Sequence, residues 1–460
     1  MAVWSQIAYS QAITLNRLDA EYFQPENLAA LRQVSKCKPQ PLSSLAFVTD
    51  GIHASPEIAV EGGIRYLSAK CVKDNSFTLA DALYITNAQN AASKRTQLRP
   101  GDVLITSVGT IGNAAVVQPD ILPANADRHL GIVRVNQDSG IDPYYLATFL
   151  NSRYGRFQTL REATGNVQLN LFIEKIKTLL IPRLPVEQIV VDATMAAYEA
   201  RKKAETLYET AEAIVTAALG LDRVDLTPRL FYEDTFGHAA DACRFDAEYY
   251  QPAKWNVLRA LAAMPGKPLG EHFRPVQKLW QPTEQPASTT VRNYDLTDAL
   301  TPFLDDTTLT TTAGEIKSTK KRLEPGDLVV SRLRSYLKEI AVVLPSNGAP
   351  LVGSTEFIVL RPRESGLSVE ALLVFLRSAP VQTVLKWCQD GSNHPRFAER
   401  ELLRLSVPDT VLKVQDEISL KIKDAISARQ ESRRLLDEAK RIVEEAIEET
   451  SSSGNAHTER

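Results

Sequence analysis

Two stretches of the chain place apolar residues at steps of three and four over many turns, the spacing of one face of an α-helix. In the first, Ile189, Ala193, Ala196, Ala200, Ala204, Leu207, Ala211, Ile214 and Ala218 form the stripe. It predicts a helix over residues 186–219, with Gly220 as its C-terminal stop. In the second, Val414, Ile418, Ile422, Ala425, Ser432, Leu436, Ala439, Val443 and Ala446 predict a helix over residues 412–449, with Arg429 on the seam. Each helix would be roughly 50 Å long at 1.5 Å per residue. So narrow a stripe needs a partner helix, and the alanines of the first permit close approach. The two are natural partners. A whole globular segment separates them in the chain, so they are expected to pack antiparallel. That would put the globular segments at opposite ends of a rod, related by a pseudo-two-fold axis.

Elsewhere the pattern changes. Gly101-Asp102-Val103-Leu104-Ile105-Thr106 and Gly131-Ile132-Val133-Arg134-Val135 are short and β-branched, and predict strands. Residues 144–160 predict a short helix in which Leu146, Phe149 and Leu150 supply the apolar stripe. The globular parts are therefore mixed helix and sheet.

The chain is also duplicated. Leu18-Asp19-Ala20-Glu21-Tyr22-Phe23-Gln24-Pro25 returns as Phe245-Asp246-Ala247-Glu248-Tyr249-Tyr250-Gln251-Pro252, an offset of 227 residues. Arg99-Pro100-Gly101-Asp102-Val103-Leu104-Ile105 returns as Glu324-Pro325-Gly326-Asp327-Leu328-Val329-Val330, an offset of 225. Ile181-Pro182 returns as Val407-Pro408, and Gln188 as Gln415. The expected fold is α+β: two repeated α/β domains joined by two long antiparallel coiled-coil helices. The boundaries are residues 1–185 for the first domain, 186–220 for the central helix, and 221–410 for the second domain with its leading linker. Residues 411–450 form the C-terminal helix, and 451–460 a polar, disordered tail.

Composition narrows the class. The chain of 460 residues is 44% hydrophobic and 24% charged, the balance of a globular protein with real cores. It shows no apolar run of membrane-spanning length and no signal peptide, which points to the cytoplasm. Cys37, Cys71, Cys243 and Cys388 are scattered with no C-x-x-C pair, as are the six histidines. That pattern points to reduced thiols and offers no zinc site. The formal net charge is −3, unlike a protein that coats DNA. Residues 1–184 hold 18 Lys and Arg against 15 Asp and Glu, so any affinity for nucleic acid must come from local patches.

Enzymatic motifs are missing. Asp142-Pro143-Tyr144-Tyr145 echoes an adenine-methyltransferase motif but lacks its second proline and a preceding glycine-rich loop. It reads more simply as a helix start, Asp capping and Pro in the first turn. The phosphate-binding G-x-x-x-x-G-K-[ST] loop and the G-x-S-x-G elbow do not occur. Asp19 and Asp246, in the repeated D-A-E-Y element, are expected to be structural, through hydrogen bonding or a helix cap.

The order of elements resembles the specificity subunits of type I restriction-modification enzymes, from about Trp4 to Glu449. The residues that carry the resemblance are the D-A-E-Y-F-Q-P element, the P-G-D turn and Thr106-Ser107-Val108-Gly109-Thr110-Ile111-Gly112-Asn113. A further stretch is Gly165-Asn166-Val167-Gln168-Leu169-Asn170, leading to Ile181-Pro182-Arg183-Leu184-Pro185-Val186-Glu187-Gln188. The second copy departs from the pattern where Arg334-Ser335-Tyr336-Leu337-Lys338 replaces Gly109-Thr110-Ile111-Gly112, and again at residues 411–415. The resemblance implies a non-catalytic subunit with two target-recognition domains, each reading one half of a split double-stranded DNA target. It implies partnership with two copies of an adenine-N6 methyltransferase, and in some assemblies with an ATP-driven restriction subunit. The cofactors, S-adenosylmethionine and ATP with Mg, would belong to those partners and none to this chain. The alternative is a solitary recognition adaptor that guides another defence effector.

Phosphates are met by Lys and Arg, and base edges by Arg, Asn, Gln, Ser and Thr. In the first domain the candidates for DNA contact are Lys70, Lys94, Arg95, Arg128, His129, Asn166, Gln168 and Asn170. In the second they are Lys320, Lys321, Arg322, Arg332, Arg334, Tyr336, Lys338, Asn393, His394 and Arg396. Lys320-Lys321-Arg322 is the densest basic cluster. Asn166 with Gln168 and Arg332 with Arg334 are expected to flank loops at equivalent places in the repeat.

Overall fold

The structure, a computed structural model, describes residues 4–453 except Asn16, Ala80, Asp81, Asn166, Val167, Asn347 and Ser365. It divides into two units: residues 1–202 with 429–460, and residues 203–428.

In the first unit, a four-stranded antiparallel sheet runs in the order Ala46–Asp50, Leu130–Val135, Val103–Thr106, Ala114–Val116. Side chains alternate across it, as strand geometry requires. Val103, Ile105, Val116 and Val133 face a core shared with the helix Pro143–Asn151. Leu104, Ala115, Leu130 and Ile132 face a second layer. There, Ile64–Leu67 pairs in parallel with Ala124–Ala126 and antiparallel with Leu83–Ile85. Both faces of the central sheet are covered, which is why its strands read as unbroken apolar runs.

The second unit has the same layers. Its sheet runs Phe273–Pro275, Phe357–Pro362, Leu328–Ser331, Ile340–Val343, with Phe303–Leu304 added in parallel at the edge. Leu328, Val330, Ile358 and Leu360 face the helical core, while Val329, Ala341, Val343 and Val359 face the other layer. In that layer Thr290–Tyr294 again pairs in parallel with Leu351–Gly353.

The repeated motifs now have physical roles. Gly101 and Gly326 turn at φ +85° and +87°, and free the next residue to point inward. Asp102 takes the Arg99 N–H at 2.9 Å and two hydrogen bonds from Arg134, at 2.8 and 2.7 Å. Asp327 takes the Glu324 N–H at 2.8 Å and Arg361 at 2.7 and 2.9 Å. In the other motif, Asp19 accepts Arg17 twice at 2.7 Å, and Asp246 accepts Arg244 at 2.8 and 2.5 Å. Neither aspartate caps its short helix through its side chain. The hydrogen-bonding role holds and the capping role does not.

The helix expected over residues 144–160 is two helices, Pro143–Asn151 and Arg153–Glu162. Asp142 caps the first by accepting the Tyr144 N–H at 2.7 Å. Ser152 breaks the run and accepts the Gly155 N–H at 3.4 Å to start the second.

The long helices are Glu187–Leu219 and Asp409–Ser453. Gly220 ends the first at φ +58°, as expected. The second runs through Ser453, so residues 451–453 are helical and not tail; residues 454–460 lie outside the described residues. In the first unit, Val190 and Val191 share a core with Ala439, Val443, Ala446 and Ile447. Ser432 donates to the Ala197 carbonyl at 2.7 Å, so the helices run antiparallel there. In the second unit, Ala211, Val215 and Leu219 share a core with Val411, Ile418 and Ile422.

The stripe predicted for the second helix is largely the buried one: Ile418, Ile422, Ala425, Ser432, Ala439, Val443 and Ala446 are buried, and Val414 and Leu436 half-buried. That of the first is displaced. Val190, Thr194, Ala197, Ala204, Ala211, Val215 and Leu219 are buried, while Ile189 is exposed. The true seam includes Thr194, whose hydroxyl meets that of Thr148 at 2.8 Å. An apolar-only pattern passes over such a position.

Candidate nucleic-acid interface

At one end of the central sheet of the first unit, three loops meet. Ser107, just past the strand Val103–Thr106, donates its N–H to the His129 carbonyl at 3.0 Å and accepts the Leu171 N–H at 2.8 Å. Thr164 and Asn170 exchange both backbone hydrogen bonds, at 2.8 and 2.7 Å, and Val108 bridges Asn170. Gly165 closes this loop at φ +123°; a Cβ there would lie 2.2 Å from the Gln168 carbonyl oxygen.

The second unit builds the same frame. Arg332 donates its N–H to the Glu356 carbonyl at 3.1 Å and accepts the Phe397 N–H at 3.1 Å. Asp390 and Arg396 exchange backbone hydrogen bonds at 2.8 and 2.9 Å, and Leu333 bridges Arg396. The backbone is equivalent at offsets of 225 to 227 residues, yet the side chains differ. Ser107, His129 and Asn170 in one become Arg332, Glu356 and Arg396 in the other.

The first loop is one residue longer in the second unit and loses its glycines, yet it keeps two left-handed positions. Gly109 and Gly112 adopt φ +78° and +80°. At the corresponding places Arg334 and Lys338 adopt φ +49° and +56°. Left-handed backbone is unfavourable for such residues. It is held by the Arg334 N–H on the Pro395 carbonyl at 2.9 Å, and by Arg377 on the Lys338 carbonyl at 2.7 Å.

Glu356 lies between two arginines. It accepts Arg332 Nε at 2.9 Å, and Arg396 through Nε at 3.0 Å and Nη2 at 2.8 Å. Hydrogen bonding by Arg396, and then by Arg332, holds its carboxyl at about 2, against the opposing effect of burial. The exposed loop residues Asn393 and His394 contribute carbonyls: that of Asn393 accepts Arg334 at 3.5 Å, and that of His394 accepts Arg396 at 3.1 Å. Tyr336 is half exposed on the neighbouring turn.

The run Lys320-Lys321-Arg322 does not form one cluster. It lies on the strand Lys320–Leu323, where successive side chains alternate. Lys320 reaches Asp295 at 3.6 Å and Arg322 is exposed. Lys321 is buried, and desolvation lowers its pKa.

In the first unit Lys70 and Lys94 are exposed. Arg95 donates to the carbonyl and carboxylate of Asp50, both at 3.2 Å, and His53 bonds the same carboxylate. His129 meets Asp127 at 3.2 Å, with Arg128 beside it at 3.4 Å. The bridge between Ile52 and Asp127 places these groups at the same end of the sheet as the loops. Gln168 is exposed and Asn170 half-buried; Asn166 lies outside the described residues. The structure thus gathers Arg95, Arg128, His129 and Asn170 in one unit, and Arg332, Arg334, Asn393, His394 and Arg396 in the other. The loops of Gln168 and of Arg332 are not equivalents. They are the two halves of one frame, and the counterpart of Gln168 is His394.

Asp50, His53, Ser107 and Glu356 were not among the expected residues. A search for cationic and amide side chains passes over acids that hold them. The repeat would have revealed Glu356, since it follows His129 at the offset of 227.

The chain matches no protein-family model and no curated protein. Three solved chains are similar to it over most of their length. The S subunit of a type I restriction-modification system from M. genitalium is 13% identical, with 90% of this chain and 95% of that one covered, at a TM-score of 0.41. A chain from a type I R-M system described for its complex assembly and conformational transition is 14% identical, with 90% and 97% covered, at 0.29. The HsdS subunit of Thermoanaerobacter tengcongensis is 14% identical, with 89% and 96% covered, at 0.29. Likeness at this level assigns no role to any residue here.

Among the described residues no helix is long and apolar enough to cross a membrane, and no group of His, Cys, Asp and Glu side chains could hold a metal ion.

Proposed function

We propose that this chain is the sequence-recognition subunit of a type I-like restriction-modification complex, working in the cytoplasm and performing no chemistry itself. The observation that carries the reading is the duplicated frame: one backbone arrangement presents Ser, His and Asn in one unit and Arg, Glu and Arg in the other. A duplicated scaffold with diverged polar loops suits a protein that reads two different half-sites. The long helices, each contributing to both units, would serve as the spacer that sets the unread gap.

A second observation supports two copies of one partner. Trp4, Tyr9 and Leu18 are exposed in the first unit, and Phe231, Phe236 and Phe245 in the second, each pair at an offset of 227. Exposed large apolar groups of this kind, five of the six aromatic, mark protein contacts. In this reading the partners are adenine-N6 methyltransferase subunits that supply S-adenosylmethionine, joined in some assemblies by an ATP-dependent restriction subunit.

Mapping N6-methyladenine in a host with and without this gene tests the proposal. A split motif methylated only when the gene is present supports it. Methyl transfer by the isolated chain would overturn the non-catalytic role.

A further inference from the structure

The frame of the second unit holds its two arginines in unlike ways. Arg396 bonds through all three of its nitrogens: Nε and Nη2 on Glu356 at 3.0 and 2.8 Å, and Nη1 on the His394 carbonyl at 3.1 Å. Arg332 gives Glu356 only its Nε, at 2.9 Å. Among the described residues its Nη1 and Nη2 have no partner, and its side chain is 45% exposed. Glu356 is itself fixed. Its N–H donates to Ser354 Oγ at 3.2 Å and its carbonyl accepts the Arg332 N–H. The result is a guanidinium anchored through Nε, with the parallel N–H donors of Nη1 and Nη2 open at its far edge.

Such a fork matches the O6 and N7 acceptors of guanine in the major groove. A phosphate also fits a fork, but here Glu356 cancels one of the two positive charges and so weakens the pull on an anion. Hydrogen bonding to a neutral base edge does not depend on that net charge. In the first unit the equivalent positions hold Ser107, His129 and Asn170, which offer no fork.

We propose that Arg332 reads one guanine in the half-site met by the second unit, with Glu356 and Arg396 as positioning residues that hold its guanidinium in plane. This rests on the recognition reading above.

The test uses the chain assembled with its methyltransferase partner, on duplexes of the target that methylation mapping defines. Each base pair of that half-site is replaced in turn. Loss of the guanine is expected to weaken the native complex by roughly 5- to 150-fold. In R332A and R332K the native and guanine-replaced duplexes are expected to bind almost equally, with discrimination at every other position retained. E356Q, which leaves Arg332 in place but loosens it, is expected to lose discrimination at the same position. R332K keeps the charge and the stem, so the test survives if R332A fails to fold. Variants that weaken every duplex equally would mark Arg332 as a phosphate contact and overturn the proposal. An unchanged pattern would overturn it as well. If the native complex prefers no sequence in either half, the recognition reading falls and this inference with it.

Discussion

Arg334 and Lys338 occupy left-handed backbone where the first unit has glycine. Strain of this kind persists at sites where the side chain is needed. Replacing Arg334 with glycine should relieve about 1 kcal/mol. It should therefore raise the thermal-unfolding midpoint by about 2–4 °C, while weakening DNA binding. A lower midpoint would show that the arginine's contacts outweigh the strain. Lys254 makes a second residue-scale case. It is fully buried, with Nζ 3.0 Å from the Tyr249 ring centroid, 4.5 Å from that of Trp255, and no hydrogen-bond partner among the described residues. Burial lowers its pKa to about 8 from 10.5. Between those values the unfolded chain binds a proton that the folded chain resists, so Lys254 makes stability rise with pH across that window. Denaturant midpoints of native protein and K254M, compared from pH 7 to 10.5, should diverge above pH 8 in favour of the native protein. Parallel curves would contradict this. Neither feature was legible in the sequence, because both depend on what surrounds the residue.

At the scale of elements, the repeated P-G-D turn is a structural device. The buried carboxylate of Asp327 holds its own turn and the adjacent strand Phe357–Pro362 through Arg361. D327A takes from Arg361 its buried partner, leaving it Glu324 at 2.7 Å, and should cost about 3 kcal/mol, near the lower end for buried pairs, since Arg361 is partly exposed. D102A should do the same in the first unit through Arg134. Urea unfolding checks both, and losses below about 1 kcal/mol would deny the role. The helical seam tests register. A197L, at the point where Ser432 reaches the Ala197 carbonyl, should destabilise by about 1–3 kcal/mol through overpacking. I189A, on the exposed face, should change stability by no more than about 0.5 kcal/mol. Helix existence and length were legible from the apolar spacing. The register of the first helix was not, because Thr194 is buried with its hydroxyl on that of Thr148, in the helix Pro143–Asn151. The Lys320-Lys321-Arg322 cluster failed for a related reason: adjacent residues on a strand point to opposite faces.

At the scale of the whole molecule, the duplication was the most legible property, since its offset fixes where each motif recurs. It predicted the shared topology of the two units. It did not show that the two loops after the central strands are halves of one frame, because their pairing joins residues far apart in sequence. The side chains of that frame differ between the units, so one measurement tests the recognition proposal: the N6-methyladenine map of a host carrying the chain and the methyltransferase proposed as its partner, before and after residues 232–410 are exchanged for those of a relative. One half of a split motif should change, with the other half and the gap unchanged. A map that is indifferent to the exchange, or to deletion of the gene, would contradict it.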